Sequence, residues 1–241
     1  MEELVDNNNL SQEQQKELYI ATLVHDLKNP LNAQIITLEQ FYQEKFGGIT
    51  ALQKEILSDV ISSAKFMSEM ISSILSIYKF ENGAVKLNKT KENIDNIIKI
   101  CLKDVLPLAD ENCIFIKYIN KAADNYITCD ENYIRRLVSN MLNNLVAYSY
   151  KNTQPLVMLQ DNQNNVIIHF KSIGFPINDN LKNHIFDKYT SGFNRKSGTG
   201  IGLYFCKKVV EAHGGIISLN AQNSNIEFCI ILPKSATGNK E

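Results

Sequence analysis

Two patterns of apolar residues divide the chain near residue 84. Before this point, apolar residues recur at intervals of three and four positions, which is the spacing of one helix face. The pattern predicts a first helix over about 11–45 and a second that carries apolar residues through 57–78. The sequence FGGIT at 46–50 interrupts the pattern with two glycines. Two long helices and a short turn predict an antiparallel hairpin.

The second helix carries apolar residues at alternating steps of three and four, which is a heptad seam. The seam positions are Leu57, Val60, Ala64, Met67, Ile71, Ile74 and Tyr78. Further apolar residues widen the stripe, and a hairpin alone has nothing to cover it. We therefore expect residues 1–85 to form a dimeric four-helix bundle across a two-fold axis. In the alternative, the hairpin packs on the rest of its own chain.

After residue 88, short β-type runs alternate with helical ones. The predicted helices cover about 92–106, 131–149 and 201–213. The predicted strands cover 113–120, 126–130, 156–161, 165–172, 216–221 and 225–232. Strands that come mostly in neighbouring pairs, with three helices between them, suggest an α/β sandwich with helices on one face of a mixed sheet. The chain is thus predicted to be α+β, with a separate second domain over 89–235.

Composition and charge exclude several classes of protein. Of 241 residues, 44% are apolar, and Lys+Arg 25 against Asp+Glu 26 gives a net charge of -1. These values exclude wholesale disorder and argue against a partner held by bulk charge, such as nucleic acid or an anionic membrane. No apolar run approaches the roughly 18 residues of a spanning helix, and the acidic, Asn-rich start is not a targeting peptide. We expect a cytoplasmic chain without membrane contact.

The cysteines are scattered, without a C-x-x-C pair or a neighbouring His. They are Cys101, Cys113, Cys129, Cys206 and Cys229. This spacing suggests neither a zinc site nor a disulfide framework. We expect buried thiols in a reducing compartment.

The sequence LVHDLKNPL lies in the middle of the first helix. His25 follows the stripe residue Val24, so its side chain is predicted to point away from the seam, with Asn29 on the same face and Asp26 on the flank. Pro30 removes the donor for the Asp26 carbonyl and should bend the helix. An interior proline costs about 3 kcal/mol, which suggests a helix shaped for chemistry at this point. An imidazole is nucleophilic when a carboxylate accepts its Nδ1 proton.

The stretch HDLKNPL resembles the phospho-acceptor motif of the sensor histidine kinases of two-component signalling. The resemblance implies that His25 is phosphorylated and that Asp26 is the base that activates it. It also implies that Asn29 helps to position water when the partner's aspartyl phosphate is hydrolysed. The implied partners are a second copy of the chain and the receiver domain of a response regulator, docked against the hairpin.

The helix YIRRLVSNMLNNLVAYS resembles the N-box of the same family. Asn140 and Asn144 place two amides one turn apart, and the resemblance implies that Asn144 is a ligand of Mg²⁺. An oxygen ligand suits a hard cation that also bridges nucleotide phosphates. On spacing alone, the alternative is two solvated amides on a helix.

The sequence GTGIGL opens the predicted third helix of the second domain. Its glycines let the backbone approach a phosphate, and first-turn N–H groups with the helix dipole favour that anion. With HIFDKYTSG before it and LxxCKKVVxxHGG after it, the stretch resembles the family's F-box, lid and second glycine box. The resemblance implies a lid over about 187–197. It also implies nucleotide-binding roles for Phe186, Arg195, Lys196, Gly198, Thr199, Gly200, Gly202 and Leu203.

The first glycine box departs from the family's D-x-G-x-G. Ser172 replaces the Asp that accepts a hydrogen bond from the adenine amino group, Gly174 is kept, and Pro176 replaces the second Gly. Ala147 stands where the N-box commonly has a lysine. A hydroxyl still accepts the hydrogen bond but without charge, which is expected to weaken nucleotide binding by roughly tenfold or more.

Three functions are compatible with these motifs. The leading one is an ATP-dependent protein histidine kinase that binds Mg-ATP in a Bergerat-type pocket and phosphorylates His25. The alternative is a degenerate dimeric module for phosphotransfer, phosphatase activity or docking, with weak or no ATP binding. A third is another ATPase with the same nucleotide fold, such as a chaperone or a topoisomerase subunit, in which HDLKNPL has no role.

Overall fold

The computed structural model describes residues 12–190 and 200–235. The chain divides into two compact units, Met1–Val85 and Lys86–Glu241. The first unit contains two helices, α1 (Gln12–Tyr42) and α2 (Ala51–Glu81). The second is an α/β unit, so the predicted mixed α+β fold is confirmed.

A capping box starts α2 directly after the turn. The Gln53 amide donates to Thr50 Oγ1 at 3.2 Å, and the Thr50 amide donates to Gln53 Oε1 at 2.8 Å. These two bonds satisfy donors that the first turn of a helix leaves unpaired. Gly47 has φ 127, a conformation that L side chains rarely adopt, so glycine permits the reversal between the helices.

The two helices pack through a narrow strip of small and branched side chains. Leu31, Ile35 and Ala64 form a buried cluster, with Ile71 packed against it. At the edge of the strip, Lys65 pairs with Glu39 at 2.6 Å. The hairpin therefore has a real but thin intrachain core.

The heptad seam predicted for α2 is divided between two surfaces. Ala64 is buried, but Val60, Met67 and Ile74 are 45%, 42% and 46% exposed. Ile61, outside the predicted seam, is buried in their place. Because α1 contacts only one side of a broad stripe, the other side is left facing outward. The heptad pattern did not show which of its positions α1 would cover.

Within the described part of the chain, α2 alone is long and apolar enough to cross a membrane, by length and composition only. An 18-residue window in it has a mean hydropathy of 1.2. This finding revises the expectation that no segment approaches a span. One such helix is weak evidence, since an apolar bundle helix meets the same criteria.

The second unit contains four helices and seven strands in the described residues. The helices are α3 (Ile94–Glu111), α4 (Glu131–Tyr148), α5 (Asp179–Lys182) and α6 (Gly202–Ala212). The strands are β1 (Thr90–Asn93), β2 (Lys117–Asn120), β3 (Tyr126–Cys129), β4 (Leu156–Asp161), β5 (Asn165–Ile173), β6 (Ile216–Gln222) and β7 (Asn225–Pro233). Five strands form one sheet in the order β2-β4-β5-β7-β6, while β1 and β3 pair separately. Only β2 and β4 run parallel within the large sheet.

One face of the large sheet is covered by helices. On β5, Val166, Ile168 and Phe170 are at most 1% exposed, whereas Ile167 and His169 between them are partly exposed. This alternation is that of a strand with one buried face. Helices α4 and α6 pack on the buried side, and α3 packs beside α4. The predicted helix-covered mixed sheet is therefore confirmed.

The chain between α3 and β2 differs from the prediction. We predicted a strand from residue 113, but Cys113 has φ 56 and is exposed. The Ile114 amide donates to the Ala109 carbonyl at 2.8 Å, which closes the end of α3 and buries Ile114. This left-handed turn directs the Cys113 thiol outward, so the expectation that every thiol is buried was wrong. All five cysteines are free.

Candidate active site

The side chain of His25 lies on the outer face of α1. The side chains of His25 and Asp26 are 70% and 68% exposed, and Nδ1 of His25 lies 3.3 Å from Asp26 Oδ1. The amide nitrogen of Asn29 is 3.3 Å from both ring nitrogens. Val24 and Leu31 are buried on the opposite side. The structure thus brings together the three residues that the motif singled out.

The proline of the motif does not end the helix. Helix α1 runs through Pro30 without interruption. Since Pro30 has no N–H, the carbonyl of Asp26 lacks its usual intrahelical donor. One hydrogen bond of the helix backbone is therefore missing at Asp26, the residue that contacts the imidazole.

The geometry of His25 suits a nucleophile. With its proton on Nδ1 and directed at Asp26, the imidazole has its lone pair on Nε2, where the Asn29 amide 3.3 Å away must give way to the reacting group. The distance of 3.3 Å is long for such a bond, and both groups are solvated. The carboxylate therefore orients the tautomer rather than holding the ring rigidly.

In the second unit, α4 carries the two predicted amides. Asp130 caps the helix by accepting from the amides of Asn132 and Tyr133 at 3.1 and 3.3 Å. Asn140 and Asn144 are both half-buried, one turn apart. The Asn140 amide forms a hydrogen bond with the thiol of Cys206 on α6. Burial raises the pKa of this thiol to about 12. The amide face of α4 is thus turned toward α6.

Among the residues that the structure describes, no side chain caps the amino end of α6. Ile201 occupies the N-cap position, and the first turn contains no acidic residue. The first intrahelical donor is the Phe205 amide, which bonds the Ile201 carbonyl at 2.9 Å. Among the described residues, a Cβ on Gly202 would meet no atom within 4 Å, so these residues leave open space beside Gly202. Such an end favours an anion.

Two glycines hold loops where a side chain would collide. A Cβ on Gly200 (φ 67) would overlap the backbone of Tyr189, whose amide donates to the Gly200 carbonyl at 3.1 Å. A Cβ on Gly174 would collide with the Tyr148 carbonyl at the end of α4. Ser172, two residues before Gly174, continues the buried row of β5 and pairs with the buried Ile226.

Family models match both units of the chain. The His Kinase A (phospho-acceptor) domain matches residues 15–83. The histidine kinase-, DNA gyrase B- and HSP90-like ATPase matches residues 129–236. The chain belongs to the two-component sensor histidine kinases. The kinase motif on α1 and the amides on α4 fall inside the two matches.

Curated relatives of this chain are sensor proteins. Sensor histidine kinase YvrG of Bacillus subtilis is 26% identical over 212 residues, which cover 87% of this chain and 37% of YvrG. Sensor protein SrrB of Staphylococcus aureus strain COL is 25% identical over 234 residues, which cover 92% of this chain and 39% of SrrB. The chain therefore spans less than half the length of these relatives.

Solved histidine kinases share the fold. Full-length ShkA in complex with AMPPNP superposes with a TM-score of 0.71 at 19% identity, covering 92% of this chain and 46% of ShkA. The Acinetobacter baumannii histidine kinase AdeS gives 0.62 at 17% identity, covering 87% of this chain and 98% of AdeS. At these identities the likeness establishes the architecture alone.

The remaining nucleotide residues predicted for the kinase are only partly described. Phe186 packs edge-on against Phe228, with ring centroids 6.1 Å apart. Leu203 is half-buried in the first turn of α6. The other predicted residues lie outside the described part of the chain: Arg195, Lys196, Gly198 and Thr199.

One cation on the amide face was not predicted. Arg136 lies one turn before Asn140, and its guanidinium lies 4.4 Å from the Phe205 ring centroid. It adds positive charge to the side of α4 that faces α6. The sequence could have indicated this contact, because Arg136 lies four residues before Asn140 and therefore on the same face of the helix.

The residues present fit a nucleotide better than a protein-held metal. In the residues covered by the structure, no group of three or more His, Cys, Asp or Glu side chains could hold a metal ion. Asn144 offers one amide oxygen, so Mg²⁺ there would need its other ligands from phosphates and water. The uncapped end of α6 and the open space at Gly202 suit those phosphates.

Proposed function

We propose that this chain is the catalytic core of an ATP-dependent protein histidine kinase. It phosphorylates His25 and passes the phosphoryl group to an aspartate of a response regulator. The observation that carries the proposal is the exposed imidazole with Nδ1 3.3 Å from Asp26, on a hairpin that matches the phospho-acceptor domain. The ATPase match over 129–236 supports the source of the phosphoryl group.

Each unit contributes different groups to the reaction. Mg-ATP supplies the γ-phosphoryl group. Asn140, Asn144 and the first-turn N–H groups of α6 bind and orient the triphosphate, which is the main contribution a protein makes to phosphoryl transfer. Ser172 contacts the base. On α1, Asp26 accepts the Nδ1 hydrogen bond, so that Nε2 forms the new N–P bond as the bond to ADP breaks.

The partners follow from the hairpin. We expect a homodimer, because Val60, Met67 and Ile74 form an exposed apolar row that a second copy would cover. The exposed face of α1 around His25 is where the receiver domain docks, and Asn29 orients water in the reverse, phosphatase reaction.

We place this core in the cytoplasm, with α2 as a helix of the bundle rather than a membrane-spanning helix.

Incubation with γ-labelled ATP tests the proposal. The wild-type chain should acquire acid-labile label, and His25→Gln should abolish it. His184→Gln is the matched control, because His184 is also exposed and contacts a carboxylate, Asp187, at 2.7 Å. Equal labelling of His25→Gln and wild type would refute the proposal.

The degenerate module is the less favoured function. Ser172, Pro176 and Ala147 support it, but both family matches and the sensor kinase relatives favour the kinase. Calorimetry with Mg-ATP separates the two. Saturable binding supports the kinase, whereas absent binding would support the module.

A further inference from the structure

The hydroxyl of Ser172 occupies a defined position on the helix-covered face of the sheet. Ser172 follows Phe170 in the buried row of β5 and pairs with Ile226, which is 5% exposed. The side chain of Ser172 is only half-buried. It makes no hydrogen bond to the residues the structure describes, so the hydroxyl is available to a ligand.

The backbone around this hydroxyl is held from two sides. The Tyr150 amide donates to the Ile173 carbonyl at 2.9 Å, and the Gly174 amide donates to the Ser224 carbonyl at 2.9 Å. Gly174 also bridges to Ser149. The backbone of Ser172 is therefore fixed in place, while its hydroxyl group remains free to rotate.

The direction of α4 places this hydroxyl at the base end of the nucleotide. Asn140 contacts α6, whose uncapped first turn suits phosphates. Tyr148, eight residues later, contacts the segment that follows Ser172. Eight residues of helix span about 12 Å, which is comparable to the length of a nucleoside triphosphate. With phosphates at α6 and Asn144, the base lies toward Ser172.

We propose that the kinase accepts GTP as well as ATP, because Ser172 recognises the base without regard to its 6-substituent. This inference rests on the proposed function. A hydroxyl accepts a hydrogen bond from the 6-amino group of adenine or donates one to the 6-oxo group of guanine. A carboxylate at this position could only accept, and it would repel the guanine oxygen. The serine therefore removes the discrimination that a carboxylate would impose.

Calorimetry on the full chain with Mg-ATP and Mg-GTP tests the inference. The two affinities should agree to within about tenfold, because a neutral hydroxyl offers either base a hydrogen bond of similar strength. Labelling of His25 from γ-labelled GTP should proceed alongside that from ATP. Binding of ATP with GTP excluded by about a hundredfold or more would overturn the inference and leave the proposed function intact. Binding of neither nucleotide would overturn both.

Two variants locate the effect at Ser172. Ser172→Asp should raise the ratio of ATP to GTP affinity by about tenfold or more, since a carboxylate accepts a stronger hydrogen bond from adenine and rejects guanine. Ser172→Ala should leave the ratio unchanged. The matched control is Ser218→Asp, an exposed serine on β6. An unchanged ratio in Ser172→Asp would contradict the inference. If that variant does not fold, the wild-type ratio decides alone.

Discussion

The two units of the kinase differ in how far each completes its own core. The two 31-residue helices of the hairpin bury six apolar side chains between them, whereas the 18-residue α4 alone buries seven. The second unit closes a core between its helices and one sheet face. The hairpin leaves a row of apolar side chains exposed, so its stability should depend on a second copy.

Because the two units differ in this way, each places a different requirement on the sequence. The hairpin must keep His25 exposed and offer an apolar face to a partner. The second unit must hold amides, glycines and a hydroxyl at fixed positions, which only a closed core can do. Changes in the hairpin should therefore affect assembly, and changes in the second unit should affect folding and nucleotide binding.

The largest effect is expected from a charge in the exposed row of α2. Met67→Lys should weaken dimerisation by about a hundredfold or more, because it would bury an unpaired ammonium between two hairpins. Sedimentation equilibrium over a range of concentrations measures this. Ser62→Lys is the control, since Ser62 is exposed on the same helix and outside the apolar row. A Met67→Lys chain that dimerises like wild type would contradict the proposed interface.

Gly174→Ala should destabilise the second unit by about 1–3 kcal/mol, because the new methyl group overlaps the Tyr148 carbonyl. Urea denaturation followed by circular dichroism measures the change. Gly48→Ala in the hairpin turn is the control, since its Cβ would meet nothing within 4 Å. A loss as large in Gly48→Ala as in Gly174→Ala would show that the second unit is no more tightly packed than the turn.

His213 should make the stability of the second unit depend on pH. Its Nδ1 lies 2.7 Å from the Val209 carbonyl, and its Nε2 accepts from the Asp130 amide at 3.1 Å, so the ring is neutral. Burial lowers its pKa below the ordinary 6.5; the hydrogen bond to the Val209 carbonyl opposes this effect, Lys89 adds to it and Asp130 opposes it. The unfolded chain then binds the proton more readily, and stability is lost as pH falls below about 6.5.

The free energy of unfolding should change by at most about 1.4 kcal/mol per pH unit because of His213. Chemical denaturation between pH 7 and pH 5, where carboxylates contribute little, measures the slope, and comparison with a His213 variant gives the share of this histidine. His213→Gln should flatten the slope. A wild-type slope retained in His213→Gln would exclude this histidine as its source.

Periodicity predicted most of the fold. The steps of three and four located α1 and α2, and the β-type run at 165–172 located β5. It missed β1 and α5, which have only four residues each. Such short elements are fixed by tertiary pairing, as β1 is by β3, and carry no readable pattern.

The site was predictable where the residue type itself carries the chemistry. His25, Asp26 and Asn29 share one exposed face because helical spacing dictates it. Arg136 was missed, since an arginine on a helix is ordinary until its contact with Phe205 is seen. The division of the α2 seam was also missed. A heptad pattern marks apolar positions but not which of two partners covers each.

Mass spectrometry at alkaline pH, after incubation with Mg-ATP, shows which side chain carries the phosphate. The phosphate should be found on His25. Phosphate on another side chain, or binding of Mg-ATP with His25 left unmodified, would contradict this prediction.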